Sequence, residues 1–219
     1  METILKDISK SYNGRRIFCN ASMVIKPNSP IVLMGGNGCG RSTLLKIIAG
    51  ILSHTDGEII RPEGIKITYS PDRLPLSPFK VMEYLQHMGS IQGLAEEKIF
   101  QMIDAQFRLF GIPANIMEQK IQNCSKGTVQ KINIIQAFLT KPDLLIMDEP
   151  FSGLDENSIE MLTELILATA KQSAVIISCH EKFLAERIAD KLYEFNMADN
   201  GAYFFVNESS YSAFMEENF

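Results

Sequence analysis

No run in these 219 residues approaches the roughly 20 apolar positions that a membrane-spanning helix needs. The opening stretch "METILKDISK" has no basic region followed by an apolar one, so no export signal is expected. Four cysteines, Cys19, Cys39, Cys124 and Cys179, form no CxxC pair and have no histidine spacing suited to zinc; reduced thiols are expected. An excess of positive charge is also missing. A net charge of −5 argues against a protein that coats nucleic acid, and no nucleic-acid partner is expected. There is no internal repeat, no low-complexity tract, and no N-K-x-D segment of the kind that reads guanine. If a membrane matters to this chain, it matters through a partner.

What is present is an ordinary globular composition, 46% hydrophobic and 21% charged, long enough to bury a sizeable interior. Residues 2–8 and 15–26 show short β-like runs around the turn "YNGR", consistent with an antiparallel piece. "PIVLMGG" has the look of a buried strand, and "RSTLLKIIAG" after it has helical apolar spacing closing on Gly50. From about Arg73 to Thr140 the texture is helical. There "AEEKIFQMIDAQFRLFG" places Ile99, Met102, Ile103, Phe107 and Phe110 on one face, which reads as core, with Gly111 as the stop.

Strand texture then returns. "DLLIMDEP" and "AVIISCH" are continuous apolar runs of the parallel-sheet type, separated by a helix with Ile159, Leu162, Leu165 and Ile166 inward. Strand, helix and strand of this kind predict a right-handed βαβ unit in an α/β sheet, whose chemistry sits at the carboxyl ends of the strands. The glycine loop, an acidic pair and a histidine all fall at such ends.

The loop "GGNGCGRST" follows a strand and opens a helix, which together build an anion site from backbone N–H groups and a helix N-terminus. Gly35, Gly40 and Ser42 match the phosphate motif G-x-x-x-x-G-K-[ST]; Arg41 stands where it calls for lysine. "LLIMDEP" is expected to deliver Asp148 and Glu149 to a solvent-facing edge. Asp148 would hold Mg²⁺ together with the Ser42 hydroxyl, and Glu149 would orient or deprotonate the attacking water.

On these residues the chain resembles the nucleotide-binding subunit of an ATP-binding cassette (ABC) transporter along nearly its whole length. "GGNGCGRSTLLKIIAG" is similar to that family's first phosphate motif, and "CSKGTVQK" to its signature motif, with Lys126 splitting the usual glycine pair. "LLIMDEPFSGLD" is similar to the Walker B strand with its D-loop, and "IISCHE" to the switch-histidine segment. The resemblance implies a P-loop NTPase core with a mostly parallel sheet (residues 1–72 and 141–219), an antiparallel β subdomain, and an inserted α-helical subdomain (73–140). It implies ATP and Mg²⁺ as ligands. Gly35, Gly36, Asn37, Gly38, Cys39, Gly40, Arg41, Ser42 and Thr43 would hold the phosphates, and Tyr12 would stack on adenine. Two subunits sandwich two ATP molecules in this family, so Ser125 and Gly127 would touch the γ-phosphate on the partner chain. Ser125 stands just before the helical pattern "TVQKINIIQAFL", which suits a helix end aimed at a phosphate. Asp155 would line the seam, and His180 would contact the γ-phosphate beside Glu149.

Three departures qualify the resemblance. Arginine keeps the charge of lysine but is bulkier, planar and forked, so Arg41 is expected to leave a working but slowed site. Asp72 stands where the family has glutamine or glutamate, shorter but of a charge that suits the cation. The strand before the loop lacks a preceding glycine, with Pro30 making the turn.

A chain without spans needs a separate membrane permease, on whose inner face it would sit, and a second copy of itself or a paralogue. "LPLSPFKVMEYLQHMG" is expected to edge the permease groove, with Phe79, Val81, Met82, Tyr84 and Leu85 partly available. The compact length leans towards export of peptides, bacteriocins or drugs. Two alternatives remain open here: a soluble cassette in translation or DNA maintenance, and a nucleotide-switched regulatory or immunity subunit with little turnover because of Arg41.

Overall fold

The computed structural model describes residues 2–198 and 201–205. The chain opens with an antiparallel ribbon, β1 (Thr3–Tyr12) against β2 (Arg15–Ile25). Asn13 and Gly14 join them at φ 48° and 78°, the double left-handed geometry that lets a two-residue turn follow the twist of its strands. Next come β3 (Ile31–Gly35), α1 (Arg41–Ile48), β4 (Asp56–Ile60) and β5 (Ile67–Ser70). A helical stretch follows, with α2 (Val81–Ile91), α3 (Glu96–Leu109), two short 3₁₀ turns and α4 (Lys126–Ala137). The chain then runs through β6 (Leu144–Met147), α5 (Glu156–Ala170), β7 (Ala174–Ser178), α6 (Lys182–Ile188), β8 (Lys191–Ala198) and β9 (Gly201–Phe205).

Among the described residues the strands form one sheet in the order β4-β1-β2-β9-β8-β3-β7-β6-β5. From β8 to β5 every pairing is parallel, whereas β4, β1 and β2 pair antiparallel. This is the α/β architecture expected, and β6-α5-β7 is the βαβ unit read from the sequence.

The continuous apolar strands are explained by the two cores. Ile31 and Leu33 of β3, Leu144 and Ile146 of β6, and Ile176 of β7 face one cluster, which contains Leu44, Leu45, Ile47 and Ile48 of α1. Val32, Leu145, Met147, Val175 and Ile177 face the other, built from α2 to α5. Alternate side chains thus serve opposite faces, and both faces are covered. On α3, Ile99, Ile103 and Phe107 are buried, as is Phe110 just after it, with Met102 half-buried. On α5, Leu162 and Ile166 are buried while Ile159 and Leu165 lie at the margin.

Two expectations need correction. Helix does not begin near Arg73: Pro71, Pro75 and Pro78 keep that segment extended, and α2 starts only at Val81, where the Glu83 carboxylate accepts from the Lys80 N–H at 3.0 Å. Nor are Val81 and Leu85 available to a partner, since both are fully buried beneath α2. Met82 and Tyr84 are half-buried, the Tyr84 hydroxyl meeting Gln136. The exposed apolar side chains ahead of α2 are Leu76 and Phe79, 69% and 60% accessible.

Candidate functional site

The glycine loop leaves β3 at Gly35 and enters α1 at Arg41. At Gly35 a Cβ would lie 2.8 Å from the Phe195 carbonyl oxygen, and at Gly40, with φ 111°, it would meet the Phe18 ring at 2.9 Å. Both positions require glycine, because the loop is pressed against β8 and β2. Gly36, Asn37 and Gly38 are exposed, while Cys39 and Gly40 are buried. No side chain caps α1, and its first turn holds no acidic residue. Its leading N–H groups are left to an anion. The loop from Asn37 to Thr43 lines a cavity of about 490 Å³, whose far wall is Asp72, Glu149 and His180.

Arg41 is 8% exposed, its Nη2 2.8 Å from Glu149 Oε1 and its Nη1 donating to the Cys179 carbonyl at 3.3 Å. The other Glu149 oxygen, Oε2, lies 2.7 Å from His180 Nδ1. One carboxylate therefore spans a guanidinium and an imidazole, and the fork of arginine is what permits two contacts at once. Glu149 also has φ 47°, a left-handed conformation that costs a non-glycine residue on the order of 1–3 kcal/mol.

The expectation for Asp148 needs correction. It is not at a solvent-facing edge: it is 2% exposed and does not line the cavity. The Ser178 hydroxyl donates to its Oδ1 at 2.7 Å, and its own N–H donates to the Ser70 carbonyl at 2.9 Å. Strand β6 ends at Met147, the last residue of the apolar run; the Asp148 carboxylate just past it turns inward, and of the acidic pair Glu149 lines the cavity.

The remaining candidates are dispersed. Asp72 lines the cavity mouth, 3.5 Å from the Arg73 guanidinium. Tyr12 is outside the lining; it is exposed at the end of β1 with the Lys10 ammonium 4.6 Å above its ring, and Ile17 of β2 lines the cavity instead. Ser125 caps α4, accepting from the Thr128 N–H at 3.2 Å, and Gly127 follows with Gly153 close behind it. Neither lines the cavity of its own chain. Asp155 caps α5 by accepting from Ser158 N–H at 2.9 Å and pairs with Lys131 at 2.8 Å. The Lys131 ammonium, followed by the Ser158 donors, holds its carboxyl well below the usual range.

Ionisable neighbours are kept neutral. Burial pushes the Cys39 thiol up and the Cys179 thiol to about 11, so neither is a thiolate near neutral pH. Burial and the nearby Asp148 carboxylate raise the Tyr69 phenol. Two buried polar residues went unnoticed in the sequence, Ser178 at 0% and Gln130 at 6% exposure. Ser178 ends an otherwise apolar run, "AVIIS", and a polar residue in such a run is the signal that marks it, whereas Gln130 stands in the mixed stretch "TVQKINII", where nothing sets it apart.

The fit of Mg²⁺ rests on donor chemistry. Ser42 and Asp72 bring hard oxygens to the cavity, and Mg²⁺ accepts few protein ligands when phosphates and waters complete its shell. Among the described residues no group of three His, Cys, Asp or Glu forms a metal cage of its own.

Residues 18–152 match the family model described as ABC transporter. The chain is 30% identical over 190 residues to an uncharacterized ABC transporter ATP-binding protein of Methanocaldococcus jannaschii, covering 86% of this chain and 71% of that one. It is also 30% identical to the zinc import ATP-binding protein ZnuC of Yersinia enterocolitica, covering 86% and 73%. A solved structure described as the ATP binding subunit of an ABC transporter superposes with a TM-score of 0.81 at 28% identity, over 89% of this chain and 85% of that one.

Proposed function

This chain belongs to the ABC transporter family as an ATP-binding, ATP-hydrolysing subunit, and we propose that it powers a separate membrane permease by closing around ATP as a pair of chains. In the proposed cycle the loop from Gly35 to Thr43 cradles the phosphates by its amides. Arg41 leaves Glu149 for the β- and γ-phosphates, where its charge is needed. Glu149, released on that side, orients and deprotonates the attacking water, and His180 bridges the γ-phosphate to the carboxylate it already touches. Ser42 and Asp72, with Asp148 through water, would hold Mg²⁺, which would neutralise charge on the phosphate oxygens. Ser125 and Gly127 present the start of α4 to the nucleotide of the second chain, with Asp155 at the seam. Tyr12 keeps its proposed place against adenine, one ring face being taken by Lys10.

The observation that carries this reading is the convergence of Arg41 and His180 on one carboxylate across a cavity roofed by the glycine loop. The same observation favours a second reading, a nucleotide-switched subunit whose turnover is throttled by the Arg41–Glu149 pair. Steady-state ATP hydrolysis by the native chain beside Arg41→Lys and Glu149→Gln, with nucleotide binding measured on all three, separates them. Hydrolysis that Glu149→Gln abolishes supports the powering reading. Nucleotide binding without hydrolysis in the native chain, even with its permease, supports the switch.

No helix among the described residues is long and apolar enough to cross a membrane. The proposed seat, at the cytoplasmic face of the cell membrane and held through the permease, rests on the family to which the chain belongs. Leu76 and Phe79 are the proposed leading contacts, exposed beside the segment that carries Asp72. The export of peptides or drugs expected from chain length finds no support among the relatives, since the transporter named there is a zinc importer.

A further inference from the structure

We infer that Gln130 and Ser178 are positioning residues for Glu149, clamping its peptide from two sides and joining the start of α4 to the general base. Neither touches the cavity. Ser178, at the end of β7, accepts from the Glu149 N–H at 2.7 Å while its hydroxyl donates to Asp148 at 2.7 Å. Gln130, on α4, donates through Nε2 to the Pro150 carbonyl at 3.0 Å and to the Glu149 carbonyl at 3.4 Å. Both ends of a left-handed glutamate are therefore held by buried side chains from different elements. Such a backbone persists only where its surroundings over-determine it. With the peptide fixed, the carboxylate is aimed where Arg41 and His180 meet it.

The clamp is part of a longer seam. Gly127 lies so close to Gly153 that a Cβ would come within 3.1 Å of its carbonyl oxygen. Lys131 donates to the Phe110 carbonyl at 3.0 Å and pairs with Asp155 at 2.8 Å. The first two turns of α4 and the segment from Glu149 to Asp155 are thus joined through Gly127, Gln130 and Lys131. Given the two-chain arrangement proposed above, on which this step rests, Ser125 serves the neighbour's nucleotide while Glu149 serves its own. Gln130 is then a polar link between the two sites.

Gln130→Met preserves length and packing but removes the donor. Turnover is expected to fall about ten- to a hundred-fold, the scale of an ångström of misplacement, while ATP affinity stays within about two-fold. The ATP-bound pair of chains should accumulate in light scattering, as hydrolysis no longer releases it. Ser178→Ala is expected to repeat the loss and Ser178→Thr, which keeps the hydroxyl, to restore most of the rate. Unchanged turnover in Gln130→Met, or turnover lost in step with affinity, overturns the assignment. If Gln130→Met melts at the assay temperature, Gln130→Asn, polar but one methylene too short, decides by the same criteria. A native chain that never hydrolyses ATP counts against the proposed function instead, and that result is seen before any variant is made.

Discussion

Arginine spreads its charge over a planar fork, and in this loop the fork meets Glu149 and the Cys179 carbonyl. A lysine at the same place is a single compact ammonium without the two side-by-side nitrogens that meet Glu149 and the Cys179 carbonyl separately. In the proposed cycle nucleotide draws Arg41 off a partly buried carboxylate before the site is ready, a step that would slow turnover without removing any group that performs it. Arg41→Lys is therefore expected to raise steady-state turnover roughly ten-fold at saturating ATP. Glu149→Gln, which cannot take a proton from water, is expected to lose at least a hundred-fold, on the scale of general-base catalysis. Both are read as phosphate release. The substitution itself was visible in "GGNGCGRST", but the pairing of its side chain with Glu149 was not. Motif spacing records which residue stands on the loop and carries no information about a partner 108 positions away.

At the scale of elements, α4 begins after Ser125, where its helical pattern placed it, and both α4 and α5 start at a capping side chain. Ser125 opens α4, and Asp155 opens α5 through the Ser158 N–H. Asp155→Ala removes a cap and the Lys131 pair together, and is expected to lower stability by about 1–2 kcal/mol in urea unfolding at neutral pH. Because the folded state depresses the Asp155 carboxyl, its contribution is complete above the unfolded value near pH 4 and is lost as acid carries the pH down towards the folded value. The gap between native and Asp155→Ala should narrow on acidification. The strands were equally legible: β3, β6 and β7 are apolar on both faces because helices cover both, and a run such as "AVIIS" has no other use. The start of α2 was misread because periodicity counts apolar spacing and overlooks the three prolines ahead of Val81. Asp148 was misread because one residue decides whether a carboxylate at a strand end faces water or Ser178.

For the whole molecule, the two-chain arrangement predicts that Glu149→Gln, unable to discharge its nucleotide, doubles in mass on addition of ATP and Mg²⁺ in light scattering. A mass that stays that of one chain would remove the basis for assigning Ser125 and Gly127 to a neighbour's site. Leu76→Asp with Phe79→Asp is expected to abolish co-purification with membranes while leaving hydrolysis by the isolated chain within about two-fold, since both side chains lie outside the cavity. The sheet itself distributes mechanical freedom unevenly. β3, which leads into the glycine loop, is bound by β7 on one flank and β8 on the other. β5, which leads to Asp72, has among the described residues only β6 beside it, and its exit is tethered to α4 by the Asn133 amide on the Pro71 carbonyl at 2.6 Å. A tug on the helices reaches Asp72 by lifting a selvedge fastened along one side, while the cradle of the phosphates stays riveted on both.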